Sequence, residues 1–217
     1  MRCLMLYGVY CTKDIWKELE ATLTDYEVDY VEYPHSITEN AKKVETISEW
    51  VFEMYGHHSY DAIIGHSMGG IIALQLAVMY KMKAKRIILL DTNLKPANAF
   101  YRNLMTHENM KKYGEYVQLM FNEEKPFYTA ECLNSIQADF DYTHLVLAAT
   151  QSIYALYGDR GKPDYPSKIS DLNLSEHVLN RLHLLFIHHA CHLIMIENPQ
   201  ALSQAIKNIC CEDLMNL

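Results

Sequence analysis

Ser67 lies in the pentapeptide Gly65-His66-Ser67-Met68-Gly69, with Gly70 directly after it. A serine hydroxyl is a weak nucleophile until a base takes its proton, so a reactive serine needs an exposed position and a basic partner. The flanks of this pentapeptide provide the position. Ala62 to Ile64 reads as a strand and Ile71 to Val78 as a helix, which sets Ser67 at the tip of a strand–turn–helix junction. Gly65 and Gly69 carry no Cβ, so strand and helix can close around the turn. The Met68 amide opens the helix, where the backbone dipoles favour negative charge, and can stabilise a developing oxyanion.

The chain offers eleven histidines as bases. His192 is the candidate, because it follows the last strand by a few residues and precedes a helix that starts at Asn198-Pro199. His188 and His189 beside it, with His57 or His58, raise a metal site as an alternative. No Asp, Glu or Cys spacing matches a metal-site pattern, so no metal is expected. Cys191 adjoins His192 in an extended segment, where neighbouring side chains point apart, and is expected to pack beneath the histidine loop.

The serine turn together with His192-Leu-Ile-Met-Ile-Glu197-Asn-Pro199 resembles the α/β-hydrolase family, whose histidine motif reads His-x-x-x-x-Glu-x-Pro. The resemblance runs from Leu4 to the last helix. It implies an α/β fold with a mainly parallel sheet of about six strands flanked by helices. It also implies one domain over residues 1–217, with a small helical cap inserted at about 93–145. It places serine, acid and histidine in that chain order, with an acyl-enzyme intermediate. Tyr7-Gly8-Val9-Tyr10 stands where the family has His-Gly, so the resemblance makes the Val9 amide a second oxyanion donor beside Met68. Two departures are Tyr7 for that histidine and Cys191 for the glycine usual before the catalytic histidine.

The acid departs further. The family places it in Gly-x-x-Asp after a strand, and here that register reads Gly158-Asp159-Arg160-Gly161. Asp159 is favoured as the acid, Asp164 comes next, and then Asp91, which follows the strand Arg86–Leu90. The resemblance implies a serine hydrolase cleaving a carboxylic ester or thioester, with no cofactor. Two other readings stay open. One is a lyase or acyl transferase: menaquinone-pathway lyases of this fold also carry Ser-Met-Gly-Gly, followed by an arginine where this chain has Ile71. The other is a non-catalytic ligand-binding member, which the displaced acid motivates.

The elements that position these residues follow from pattern. Cys3–Tyr7, Val28–Tyr33, Tyr60–Ile64, Arg86–Leu90, Ser152–Tyr157 and Leu184–Ile187 read as strands. Helices are expected over Trp16–Leu23 and Ser175–Leu182. Ser36-x-x-Glu39 has the form of a capping box, and Ile37, Ala41, Val44, Ile47, Val51 and Tyr55 then fall on one helical face. This alternation implies a parallel sheet with right-handed crossovers. Asn93 to Tyr142 is helix-like and rich in aromatics, and is expected to supply an apolar acyl pocket.

Composition bounds the function. The chain has 217 residues, 50% of them apolar and 21% charged, which suits one domain with a sizeable core. A net charge of −8 without any basic cluster argues against nucleic acid. Six cysteines without a Cys-x-x-Cys pair, and an N-terminus lacking a signal-peptide pattern, suit a reduced cytoplasmic protein. No apolar run reaches membrane-spanning length. The expected partner is a small acyl ester or thioester.

Overall fold

The computed structural model describes residues 1–211. The strands are β1 (Arg2–Leu6), β2 (Glu27–Tyr30), β3 (Tyr60–His66), β4 (Ala84–Leu90), β5 (Ser152–Gly158) and β6 (Leu182–Ile187). They form one sheet in the order β2-β1-β3-β4-β5-β6, with every neighbouring pair parallel. β1, β3 and β5 are near-continuous buried runs, as strands covered on both faces must be. The helices are α1 (Lys17–Glu20), α2 (His35–Thr38), α3 (Val44–Tyr55), α4 (Met68–Val78), α5 (His107–Glu124), α6 (Ala130–Gln137), α7 (Thr143–Ala148), α8 (Glu176–Leu179), α9 (Ile194–Glu197) and α10 (Pro199–Cys211). Among the described residues no helix is long and apolar enough to cross a membrane.

Several boundaries differ from the sequence pattern. The single helix expected after Ser36 is two helices, α2 and α3, with Pro34 and Lys43 as their N-caps, so the capping box at Ser36 and Glu39 does not form. Side-chain donors, one local and one distant in sequence, take carbonyls that a continuing helix would use. Asn40 Nδ2 donates to Ser36 O at 3.0 Å, and Thr129 Oγ1 donates to Ala41 O. The helix expected over Trp16–Leu23 starts earlier, as a 3-10 turn at Lys13–Trp16 capped by Thr12, and α1 stops at Glu20. Around Ser175–Leu182 only α8 is helical, and β6 already begins at Leu182.

Two features of this frame decide where chemistry can occur. The chain leaves β1 toward β2 and then returns past β1 to β3, so the carboxyl ends of β1 and β3 flank a switch point, where such sheets bind ligands. The second feature is α4, which is buried from Met68 to Ala77 and packs against β1, β3, β4 and α3. Its start can sit this deep only because glycines line it. A Cβ on Gly65 would lie 2.2 Å from Gly69 O, and one on Gly69 would lie 2.2 Å from Leu6 O. Between β4 and β5 the chain runs through a 3-10 turn at Ala99–Arg102 and then α5, α6 and α7.

Candidate active site

The carboxyl ends of β1, β3, β4 and β5, and the loop after β6, converge on one region. Ser67 connects β3 to α4 with φ 53° and ψ −118°. A side chain with φ in this range costs roughly 1–3 kcal/mol, so the packing around Gly65 and Gly69 must hold it there. The Met68 amide is in the first turn of α4, where N–H groups have no intrahelical partner. Gly8 to Cys11 forms a turn closed by Cys11 N donating to Gly8 O at 3.2 Å, with Tyr10 at φ 62°. That bond leaves the Val9 amide out of the turn's own hydrogen bonding. Val9, Ser67, Met68 and His192 line one cavity of about 550 Å³.

His192 is fixed from three sides. Its amide donates to Leu104 O at 3.1 Å. Its carbonyl oxygen stands 3.1 Å from His66 Nε2. Its Nδ1 stands 3.0 Å from Asp91 Oδ1. A carboxylate only accepts, so His192 Nδ1 carries the proton and the neutral ring keeps Nε2 as its basic atom.

The carboxylate on His192 is therefore Asp91, the last of the three aspartates in sequence order of preference. Asp91 begins the loop after β4 at φ 44° and is fully buried. Its Oδ1 and Oδ2 accept from Arg160 Nη2 at 2.6 Å and Nη1 at 2.7 Å. Its Oδ2 also accepts from Gly158 N at 3.0 Å. Burial alone would push this carboxyl up, but the Arg160 charge and the His192 and Arg160 hydrogen bonds outweigh it and hold Asp91 well below the usual carboxylate range. Arg160 is itself fixed: it bonds Gly158 O at 2.6 Å and lies over the Tyr101 ring at 4.6 Å.

Asp159, favoured from sequence, stands elsewhere. It is buried, and its Oδ2 is 2.8 Å from His188 Nδ1. Its Oδ1 accepts from the His189 and Gly161 amides at 2.9 and 2.8 Å. It braces the loop leading to His192 from the end of β5. Asp164 is exposed in the following turn. The rebuilt turn after Gly158 thus points an arginine, not a carboxylate, at the histidine side of the site, and Asp91 reaches His192 from β4. Sequence reading gave Arg160 no role; its one signal was a basic residue two positions beyond a buried strand.

Two further residues hold the histidine loop. Glu197 accepts from Cys191 N at 3.0 Å, from Thr106 N at 3.1 Å and from Asn109 Nδ2 at 3.1 Å. Cys191 is buried, and burial pushes its thiol up to about 12, so it is no thiolate nucleophile at neutral pH. Among the described residues no group of three or more His, Cys, Asp and Glu is arranged to hold a metal. Of the aromatics between Asn93 and Tyr142, only Tyr101 and Phe140 line the cavity. Phe100 instead stacks on Tyr165, and Phe127 on His35.

His66 carries a stability consequence. It is buried, and because the His192 carbonyl only accepts, His66 Nε2 holds the proton. Burial, with His192 adding to it, pushes its pKa down to about 3. The unfolded chain binds a proton here near pH 6.5, whereas the folded chain does not until about pH 3. This contribution to stability is full above about pH 6.5 and is lost as pH falls toward 3, by at most about 1.4 kcal/mol per pH unit. His66→Gln keeps a donor without the titration. Urea unfolding should show the wild type losing about 2 kcal/mol more than this variant between pH 7 and 5. Equal losses would show that His66 does not control acid stability.

A family model described as the alpha/beta hydrolase fold matches residues 34–124. No curated protein matches the chain in sequence. The structure is similar to a thermophilic esterase from Thermogutta terrifontis with malate bound, at TM-score 0.75 and 18% identity over 96% of this chain and 89% of that one. It is similar to MenH from S. aureus, at TM-score 0.75 and 12% identity over 98% and 94% of the two chains. It is also similar to a thioesterase domain from the curacin biosynthetic pathway, at TM-score 0.68 and 14% identity over 95% and 91%.

Proposed function

We propose that this chain, which has the α/β-hydrolase fold, is a serine hydrolase that cleaves a carboxylic ester or thioester through an acyl-enzyme. The observation that carries the reading is the cavity shared by a strained Ser67 and by His192, whose Nδ1 is held by an ionised, buried Asp91. In this reading His192 Nε2 takes the Ser67 proton as Oγ attacks the acyl carbonyl. Asp91 keeps the imidazole in the required tautomer and stabilises the imidazolium. The Met68 and Val9 amides receive the oxyanion. His192 then protonates the leaving alcohol or thiol, and water resolves the acyl-enzyme by the same route in reverse. Residues 93–145 act as the cap over the cavity, which Ile136 and Phe140 help to line. Six free cysteines, five of them buried, fit a reducing, cytoplasmic setting.

Arg160 has a distinct part in this scheme. A buried carboxylate with no cation beside it tends to take up a proton and cease to act as an acceptor. The guanidinium keeps Asp91 charged before His192 becomes charged. That contact also supports catalysis over a purely ligand-binding role, because a receptor pocket has no use for an ionised acid behind a histidine. Ile71 lines the cavity where related lyases carry arginine, which further favours hydrolysis. The test is a panel of p-nitrophenyl esters and acyl thioesters of graded chain length. At least one member should turn over with a pre-steady-state burst equal to the enzyme concentration. Absence of turnover across the panel, with the protein folded, would overturn the reading.

A further inference from the structure

The lining of the catalytic cavity is not uniformly apolar. Ile71, Ile136 and Phe140 make an apolar wall, but Asn93, Arg102 and Gln137 share the cavity with them. Two residues of the lining carry full charges, Asp91 and Arg102. The charge on Asp91 is already matched, since its two oxygens take both Arg160 Nη atoms, the Gly158 amide and His192. Arg102 has no ion pair among the described residues, and its side chain is exposed. This is notable in a chain with 27 acidic against 19 basic residues, where carboxylates are plentiful.

The position of Arg102 is fixed by its neighbour. Tyr101 is buried, its hydroxyl donates to Lys168 O, and its ring lies under Arg160. The backbone that presents Arg102 is thus anchored to the same arginine that holds the acid. Asn93 adds a second, independent sign of a polar ligand. Its Oδ1 is buried and has no hydrogen-bond partner among the described residues. A buried amide oxygen without a partner is costly, and a polar group brought by a ligand would satisfy it or its flipped amide.

We propose that the substrate of this site is an ester or thioester that also carries a carboxylate, and that Arg102 receives that carboxylate. This rests on the hydrolase reading above and deepens it. The guanidinium presents paired donors that match a carboxylate in a bidentate way, which fits this class better than a neutral fatty acyl ester. The apolar wall takes the short hydrocarbon between the two functional groups. A cavity of about 550 Å³ suits a small molecule of this kind.

The test compares isosteric pairs that differ only in charge. Methyl glutarate is set against methyl glutaramate, with the carboxylate on the acyl side. Acetoxyacetate is set against acetoxyacetamide, with the carboxylate on the alcohol side. In the wild type, kcat/KM for the anionic member of one pair should exceed that of its amide by at least about 10-fold, mainly through KM, and the pair that shows it identifies the side. In Arg102→Gln the ratio should fall to about one, and Arg102→Lys should restore part of it. Calorimetry with Ser67→Ala, where nothing is turned over, should show the anion binding at least about 10-fold more weakly once Arg102→Gln is added. Hydrolysis of both members without preference would overturn this inference and leave the hydrolase reading standing. Turnover of neither, with no carboxylate binding to Ser67→Ala, would overturn this inference, and would overturn the hydrolase reading as well only if the ester and thioester panel is also left unhydrolysed.

Discussion

Asp91→Asn should lower kcat/KM by about 10⁴-fold, whereas Asp159→Asn should lower it by no more than about 10-fold. The contrast follows from which carboxylate touches the imidazole. Asp91 Oδ1 is 3.0 Å from His192 Nδ1, and an amide there can present its NH₂ and favour the wrong tautomer of the ring. Asp159 touches His188 and the His189 amide instead, so its loss loosens the loop without changing the protonation of His192. Asp91→Asn has a second consequence. Arg160 would be left as a buried charge without its partner, at a cost of about 3–5 kcal/mol. Asp91→Asn combined with Arg160→Met removes that charge and should recover much of the stability without recovering activity. Thermal unfolding beside steady-state kinetics on the single and double variants separates the two effects. A large kinetic loss in Asp159→Asn, with Asp91→Asn active, would reverse the assignment of the acid.

Ser67→Ala should reduce turnover by about 10⁶-fold, to the level left by binding and the oxyanion donors. The change removes one oxygen and keeps the Cβ that packs beside Gly8. The positive φ is retained, so stability should change by less than about 1 kcal/mol. Near-complete loss of turnover with an unchanged melting temperature therefore separates a chemical role from a structural one. If Ser67→Ala kept more than a hundredth of the wild-type rate, another group would have to be the nucleophile, and the geometry of β3 and α4 would need a different explanation.

The parts of the fold legible in the sequence were those set by a single strong local pattern. The apolar runs of β1, β3 and β5 read directly as buried strands, because covering on both faces leaves little room for polar residues. Gly65, Gly69 and Gly70 marked the turn at Ser67, because only glycine tolerates the close approach of α4 to the strand ends. His192 was singled out through the elements on either side of it. The parts not legible were those decided by contacts distant in sequence. Nothing local distinguishes Asp91 from Asp159, since each follows a strand directly. Arg160 reaches 69 positions back to pair with Asp91, and it is Asp91, not Asp159, whose carboxylate meets His192. The break between α2 and α3 was hidden for the same reason, because Thr129, 88 positions later, takes the Ala41 carbonyl.

The most direct test of an activated serine is intact-mass analysis after reaction with a fluorophosphonate, on the wild type and on Ser67→Ala. One adduct per wild-type chain and none on the variant is the expected result, because the phosphonate needs a deprotonated Ser67 and a tetrahedral oxyanion site at once. A folded wild type that stays unlabelled, or an adduct that survives in Ser67→Ala, would contradict the account.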